Sequence, residues 1–216
     1  MRSPVWLFDL DNTLHDASPH IFPHINRDMT AYVARTLFVS PAEADRLRVD
    51  YWHRYGATLT GLMRHHGTDP HHFLWHTHQF PELERMMVFE RGLKAMLRRL
   101  PGRKLLFTNA PHHYAEAVLD VMGVRRFFDT IYAIEHLRFC PKPEMRGFLH
   151  LLKTERLAPT RCVMIEDSTE NLRTAKRLGM KTVLVGNARQ LRTAPAWVDL
   201  RLKSVLELPR RLGQLR

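Results

Sequence analysis

Val5-Trp6-Leu7-Phe8-Asp9-Leu10-Asp11-Asn12-Thr13 is the stretch that decides the reading of this chain. An apolar run suited to a buried strand ends in two carboxylates on alternate residues, with a threonine two places further on. Residues two apart on a strand project to one face, so Asp9 and Asp11 are expected to point into the same space. Open α/β sheets bind their ligands outside the carboxyl ends of the strands. Two acids crowded there repel each other unless a proton or a cation lies between them. The pattern suits a carboxylate nucleophile beside a second carboxylate acting as acid and base, both held by a hard metal ion. Asp, Asn and Thr also favour turns and helix N-caps, so a plain turn is the competing reading of the same residues.

Three further stations repeat the layout. Leu105-Leu106-Phe107 runs into Thr108-Asn109-Ala110, where a hydroxyl beside free backbone amides can hold a phosphate oxygen. Thr108 and Asn109 read equally well as caps of a helix starting near Pro111. In Cys140-Pro141-Lys142-Pro143 a lysine stands between prolines, which stiffen the backbone and allow its ammonium to be aimed. Val163-Met164-Ile165 ends in Glu166-Asp167-Ser168, and Asn171 opens a helical pattern over residues 171–178 that stops at Gly179. Glu166 and Asp167 are either charges favourable to a helix N-terminus or ligands completing a metal site with Asp9 and Asp11. Residues 181–186 read as one more buried strand.

Taken in order, these four stations resemble the motifs of the haloacid dehalogenase (HAD) superfamily, most of whose members are phosphohydrolases, over roughly residues 4–190. The resemblance implies an α/β fold, a doubly wound parallel sheet of Rossmann-like type carrying an inserted helical cap. It implies that Asp9 is the nucleophile and forms an aspartyl-phosphate. Asp11 protonates the leaving oxygen and then activates water. Thr108, Asn109 and Lys142 hold the phosphate, and Thr13, Glu166, Ser168 and Asn171 support the site. Mg²⁺ is implied on the Asp9 carboxylate, the Asp11 backbone carbonyl and Asp167, with Glu166 acting through water. The superfamily's dehalogenases lack an acid at the position of Asp11, so its presence favours ester hydrolysis, where an alkoxide must be protonated.

About ninety residues separate Thr13 from the second strand, far more than a loop in a compact domain. Residues 19–38 carry apolar side chains at helical spacing. Residues 41–66 start with Ser40 as N-cap and Pro41 at the first helical position. Shorter helices follow over 70–79 and before Pro101. The expected organisation is a core of residues 1–14 and 92–216 and a helical cap of residues 15–91, a device that excludes water and selects substrates. Within it, Tyr51-Trp52-His53-Arg54-Tyr55-Gly56 and the Gly61-Leu62 that follow resemble a stretch of the pyrimidine 5′-nucleotidases of yeast and bacterial type. That resemblance implies pyrimidine nucleoside 5′-monophosphates, UMP and CMP, as substrates, with Tyr51, Tyr55 and His15 candidates for contact with them. The same aromatic residues fit the internal core of a helical domain. Gly56 and Gly61 suit a helix break or a close approach.

The formal charge is +11, with 33 Lys and Arg against 22 Asp and Glu. The basic residues are scattered and form no ordered stripe, so the charge reads as a field that draws anionic esters rather than a nucleic-acid surface. A nucleic-acid-binding protein with a vestigial core is the non-enzyme alternative. A phosphatase of sugar phosphates or other nucleotides, or a phosphomutase, is the enzymatic one. Two cysteines, Cys140 and Cys162, offer no disulfide framework, and no apolar stretch approaches the ~20 residues that span a membrane. With a strand starting almost at once, this fits a cytoplasmic location. The cap's histidines, His65-His66, His71-His72, His76 and His78, invite zinc, but neighbouring histidines on a helix face different directions. Residues 187–195 are expected to form a loop, and residues 201–216 a terminal amphipathic helix.

Overall fold

The computed structural model describes residues 3–215. Six strands make one sheet: β1 (Val5–Phe8), β2 (Lys104–Phe107), β3 (Thr130–Tyr132), β4 (Cys162–Glu166), β5 (Lys181–Val185) and β6 (Leu200–Leu202). Their spatial order is β3-β2-β1-β4-β5-β6, and every pairing is parallel. Strands of such a sheet are covered on both faces, which is why the sequence shows unbroken apolar runs rather than alternation. β1, β2 and β4 are buried along their whole length. One face of the sheet packs Val5, Leu7, Leu105, Phe107 and Met164 against Phe148, Leu151 and Leu172. The chain runs outward from β1 in both directions, through β2 on one side and β4 on the other. The crevice at that reversal is where a doubly wound sheet receives its ligand.

The expected α/β class and doubly wound parallel sheet are what the structure shows. The chain divides into two compact units, Ala17–Met86 and the remainder. The first is all helical: α1 (Ile21–Leu37), α2 (Pro41–Tyr55), α3 (Thr58–His66), α4 (Pro70–Thr77) and α5 (Leu83–Met86). Ser40 caps α2 by accepting from the Glu43 amide, and Asp69 caps α4 through His72. The helical pattern over 41–66 is broken at Gly56, whose φ of 76° only glycine adopts at no cost. Gly61 serves the other purpose, because a Cβ there would lie 2.3 Å from Cγ of Tyr51.

The second unit holds the sheet and the remaining helices: α6 (Leu93–Arg99), α7 (His112–Val121), α8 (Met145–Thr154), α9 (Thr169–Arg177), α10 (Ala188–Thr193) and α11 (Leu208–Arg211). Two expectations are corrected here. Residues 187–195 are not a loop but contain α10, started by a capping box in which Asn187 and Gln190 satisfy each other's backbone amides. Residues 201–216 are not one helix. The segment begins inside β6, where buried Leu200 and Leu202 flank exposed Arg201 at the two-residue period of a strand. A Ser204–Glu207 capping box then opens a 3₁₀ turn that leads into the short α11. Arg216 lies outside the described residues. Among the described residues no helix is long and apolar enough to cross a membrane.

Candidate active site

β1 delivers Asp9 one residue past its last pairing, and the Asp9 amide still donates to the Ile165 carbonyl at 3.0 Å. The chain then turns. Asn12 takes a left-handed φ of 59°, which asparagine tolerates, and the amides of Thr13 and Leu14 both return to the Leu10 carbonyl. The turn expected of Asp9–Thr13 is present, and it sets the directions of the two carboxylates.

Asp9 is buried, with Oδ1 accepting from Lys142 Nζ at 2.6 Å and Oδ2 from Thr13 Oγ1 at 3.2 Å. Lys142 Nζ also donates to Glu166 Oε1 at 2.8 Å and sits 5.2 Å from the centre of the Phe107 ring. Glu166, at the end of β4, is held further by the Ser168 amide at 2.7 Å and by the Asn171 side-chain amide. Ser168 in turn caps α9 by accepting from the Asn171 amide. One lysine thus bridges the ends of β1 and β4, the two strands at the reversal.

Asp9, Glu166 and Asp167 bring carboxylate oxygens within 4.8 Å of one another, and among the described residues this is the one group of three or more potential ligands that could hold a metal. Of these three carboxylates, Asp9 and Glu166 share the Lys142 ammonium. Burial, and then the Glu166 charge, push the Asp9 carboxyl well above the usual range against the pull of Lys142. Asp167 is raised by burial, then by Glu166 and Asp9. Burial also opposes ionisation of Glu166, but Lys142 and the surrounding donors outweigh it and hold Glu166 low. For Lys142 itself burial disfavours the charge, and Asp9 with Glu166 more than restores it. A buried site with this surplus of carboxylates and only hard oxygen donors fits Mg²⁺.

Asp11 faces a different set of partners. Its Oδ1 receives Tyr114 Oη at 2.7 Å and His15 Nε2 at 2.9 Å. The two motif aspartates are therefore held apart, Asp9 on the lysine and Asp11 on a phenol and an imidazole. Tyr114 was not foreseen from sequence. It is a buried residue on the first turn of α7, separated from Asp11 by 103 positions, and no local pattern marks it.

Thr108 lies just past β2 and is buried, its Oγ1 accepting from the Ala110 amide at 3.0 Å and its proton left to donate. Asn109 is placed differently from the phosphate contact expected of it. Its side chain grips the Lys142 backbone, donating to the carbonyl at 2.9 Å and accepting from the amide at 2.7 Å. Neither residue caps α7, whose N-cap is Pro111 without a side-chain bond.

His15 is buried against Asp11 rather than exposed for a substrate. Tyr51 and Tyr55 pair their hydroxyls with His66 at 2.7 Å and His65 at 2.6 Å, inside the helical unit. Of the other histidines that invited zinc, His72 Nδ1 meets Tyr32 at 2.8 Å, His78 Nδ1 meets Thr77 at 2.9 Å, and His76 Nδ1 meets the His72 carbonyl at 2.8 Å. Cys162 starts β4, and burial pushes its thiol up to about 11, which suits packing rather than nucleophilic chemistry.

Comparison with known proteins identifies a family and a fold. The haloacid dehalogenase-like hydrolase family matches residues 5–179. Phosphate metabolism protein 8 of Saccharomyces cerevisiae is 25% identical over an alignment of 195 residues that covers 83% of this chain. Fructose-1-phosphate phosphatase of Escherichia coli is 33% identical over 35% of the chain, and hexitol phosphatase B of the same organism 30% over 48%. The matched regions span 60%, 40% and 46% of those three proteins' own lengths. Among solved structures, a HAD phosphatase from Thermococcus onnurineus superposes with a TM-score of 0.66 at 21% identity, covering 99% of both chains. The L-2-haloacid dehalogenase of Xanthobacter autotrophicus gives 0.62 at 14% identity over 98% of this chain and 99% of its own. At such identities the superpositions speak for the fold.

Proposed function

Because this chain belongs to the haloacid dehalogenase-like hydrolases, we propose that it is a Mg²⁺-dependent phosphomonoesterase working through an aspartyl-phosphate. The observation that carries the reading is Asp9, gripped by Lys142 and Thr13, with Glu166 and Asp167 beside it and a second aspartate two residues on. The Asp9 carboxylate attacks phosphorus in line with the ester oxygen. As the P–O bond breaks, the departing oxygen takes a proton from Asp11. Asp11 then removes a proton from water, the hydroxide attacks the same phosphorus, and inorganic phosphate leaves with Asp9 restored. Lys142 and the Thr108 hydroxyl hold the equatorial oxygens, a task of positioning and charge neutralisation. Asp9, Asp167 and the Asp11 backbone carbonyl, with Glu166 next to them, would hold Mg²⁺, which would supply positive charge to offset that of the transferring phosphoryl group.

For the substrate, the Tyr51 to Leu62 stretch supports pyrimidine nucleoside 5′-monophosphates. Selection of the ester is assigned to the helical unit, Ala17–Met86. The alternative, a sugar or hexitol phosphate, draws on the two Escherichia coli relatives. Phosphate release from UMP, CMP, AMP, GMP, fructose 1-phosphate and a hexitol phosphate, with Mg²⁺ and with EDTA, separates them. Preference for UMP and CMP is the expected result. Mg²⁺-dependent preference for a sugar ester would keep the chemistry and discard the nucleotide. Equal or absent release with and without Mg²⁺ would overturn the reading.

A further inference from the structure

Tyr114 and His15 have no part in the chemistry above, yet both put their polar atom on one oxygen of Asp11. Tyr114 is 1% exposed and His15 4%, so both donors are shielded from bulk water. The contacts are 2.7 Å and 2.9 Å, and both land on Oδ1. Among the described residues, no donor meets Oδ2. His15 Nδ1 is buried without a partner, so the ring's hydrogen bonding is directed at Asp11 alone. The carboxylate they grip stands on a turn beyond the end of β1, where the sheet no longer restrains it.

We propose that Tyr114, together with His15, is a positioning residue that fixes the Asp11 carboxylate through Oδ1 and leaves Oδ2 as the atom that exchanges the proton. This rests on the reading of Asp11 as the acid and base of ester hydrolysis. A carboxylate carries its transferable proton on either oxygen. Two donors on Oδ1 make that oxygen the poorer base and settle the proton on Oδ2. They also stop the group from rotating, and a misplacement of about 1 Å costs roughly a hundredfold in rate. In the first step the proton passes from Asp11 Oδ2 to the ester oxygen while the Asp9–phosphorus bond forms and the phosphorus–ester bond breaks. In the second it passes from water to Oδ2. α7 makes the connection, because the helix that follows the Thr108–Asn109 loop carries Tyr114 back to the first motif.

The test uses the need for a proton. An alkyl phosphate requires protonation of its leaving oxygen, and p-nitrophenyl phosphate, with its stable leaving anion, scarcely does. Since kcat/KM covers only the steps through formation of the aspartyl-phosphate, the ratio of the two kcat/KM values isolates the acid. Tyr114→Phe keeps the buried ring and removes the hydroxyl. It is expected to lower the alkyl-to-aryl ratio at least about tenfold, with the loss in kcat rather than KM. Asp11→Ala is expected to lower it further. A Tyr114→Phe enzyme with the wild-type ratio, where Asp11→Ala shows the drop, overturns the positioning role and keeps the acid. An unchanged ratio in Asp11→Ala overturns the reading of Asp11, and the positioning role with it. Thermal unfolding identifies a variant that does not fold. In that event His15→Phe, which keeps a ring where Nδ1 has no partner to lose, takes the same ratio test.

Discussion

Asn109 holds Lys142 by the backbone, its side-chain amide donating to the lysine carbonyl at 2.9 Å and accepting from the lysine N–H at 2.7 Å. The lysine ammonium reaches Asp9 and Glu166 from a loop that belongs to neither strand, and this clamp ties that loop to the end of β2. Asn109→Ala removes both bonds without touching a charge. The expected outcome is a loss of roughly 10–100-fold in kcat/KM, because the ammonium loses its aim and not its charge. Steady-state kinetics on the best substrate reads it, and a variant within twofold of wild type would show that the prolines alone place the loop.

Among the described residues, Lys142 is the one cation paired with the buried carboxylates of Asp9 and Glu166, and it is itself 3% exposed. Lys142→Met leaves two carboxylates uncompensated in a dry site. Breaking a buried pair from one side costs about 3–5 kcal/mol. Thermal unfolding in EDTA is expected to show most of that loss, and Mg²⁺ to recover part of it. Hydrolysis in Mg²⁺ falls. Equal stability of variant and wild type in EDTA would mean that protons on Asp9 and Glu166 replace the lysine at little cost.

Asp167 separates stability from function. Among Asp9, Glu166 and Asp167 it is the one for which no ion pair with Lys142 is found, and burial, followed by repulsion from Glu166 and Asp9, raises its affinity for a proton. Asp167→Asn removes that repulsion, so the metal-free variant is expected to melt above the metal-free wild type. Activity is lost, in the usual trade between a strained site and a stable one. Mg²⁺ at 100 times its dissociation constant stabilises the wild type by about 2.7 kcal/mol. The variant is expected to lose most of this shift. A full shift in Asp167→Asn would move the metal to other ligands.

The parts of this site that were legible in sequence are those made by local pattern. Apolar runs ending in Asp9, Thr108 and Glu166 announce strands with polar ends, and the sheet brings those ends together. The prolines around Lys142 announce a fixed loop. What stayed hidden depends on distance or on choice between partners. The Tyr114 contact with Asp11 spans 103 positions and leaves no spacing to read. Asn109 has the chemistry to cap a helix or to meet phosphate, and only the fold shows its side chain spent on Lys142. The Asn187–Gln190 capping box was present in the letters, but a six-residue helix has too few turns to show a period. β6 is shorter still, and its basic surroundings imitate a helix face.

Away from the site, Asp199 joins α9 to β5 and sets a pH dependence of stability. Its Oδ1 accepts from Lys176 Nζ at 2.7 Å, and its Oδ2 from the amide and the hydroxyl of Thr182, both at 2.9 Å. Burial works against its charge, but the Lys176 and Thr182 donors outweigh it and hold the carboxyl below its ordinary value of 3.8. A carboxyl depressed in the folded state binds a proton more readily once unfolded. Its contribution is therefore complete above the unfolded value and is lost as pH falls through the folded one. Hydrogen bonds to a charged group contribute about 1.5–3 kcal/mol, the lower end applying to a partly exposed pair such as this. Urea unfolding of wild type and Asp199→Asn at pH 7 is expected to differ by about that lower figure. The gap should begin to close as pH drops below about 3.8, where the unfolded carboxyl takes up its proton, and shrink further as the folded one does. A gap that holds constant across that window would mean that Asp199 acts through its shape and not its charge.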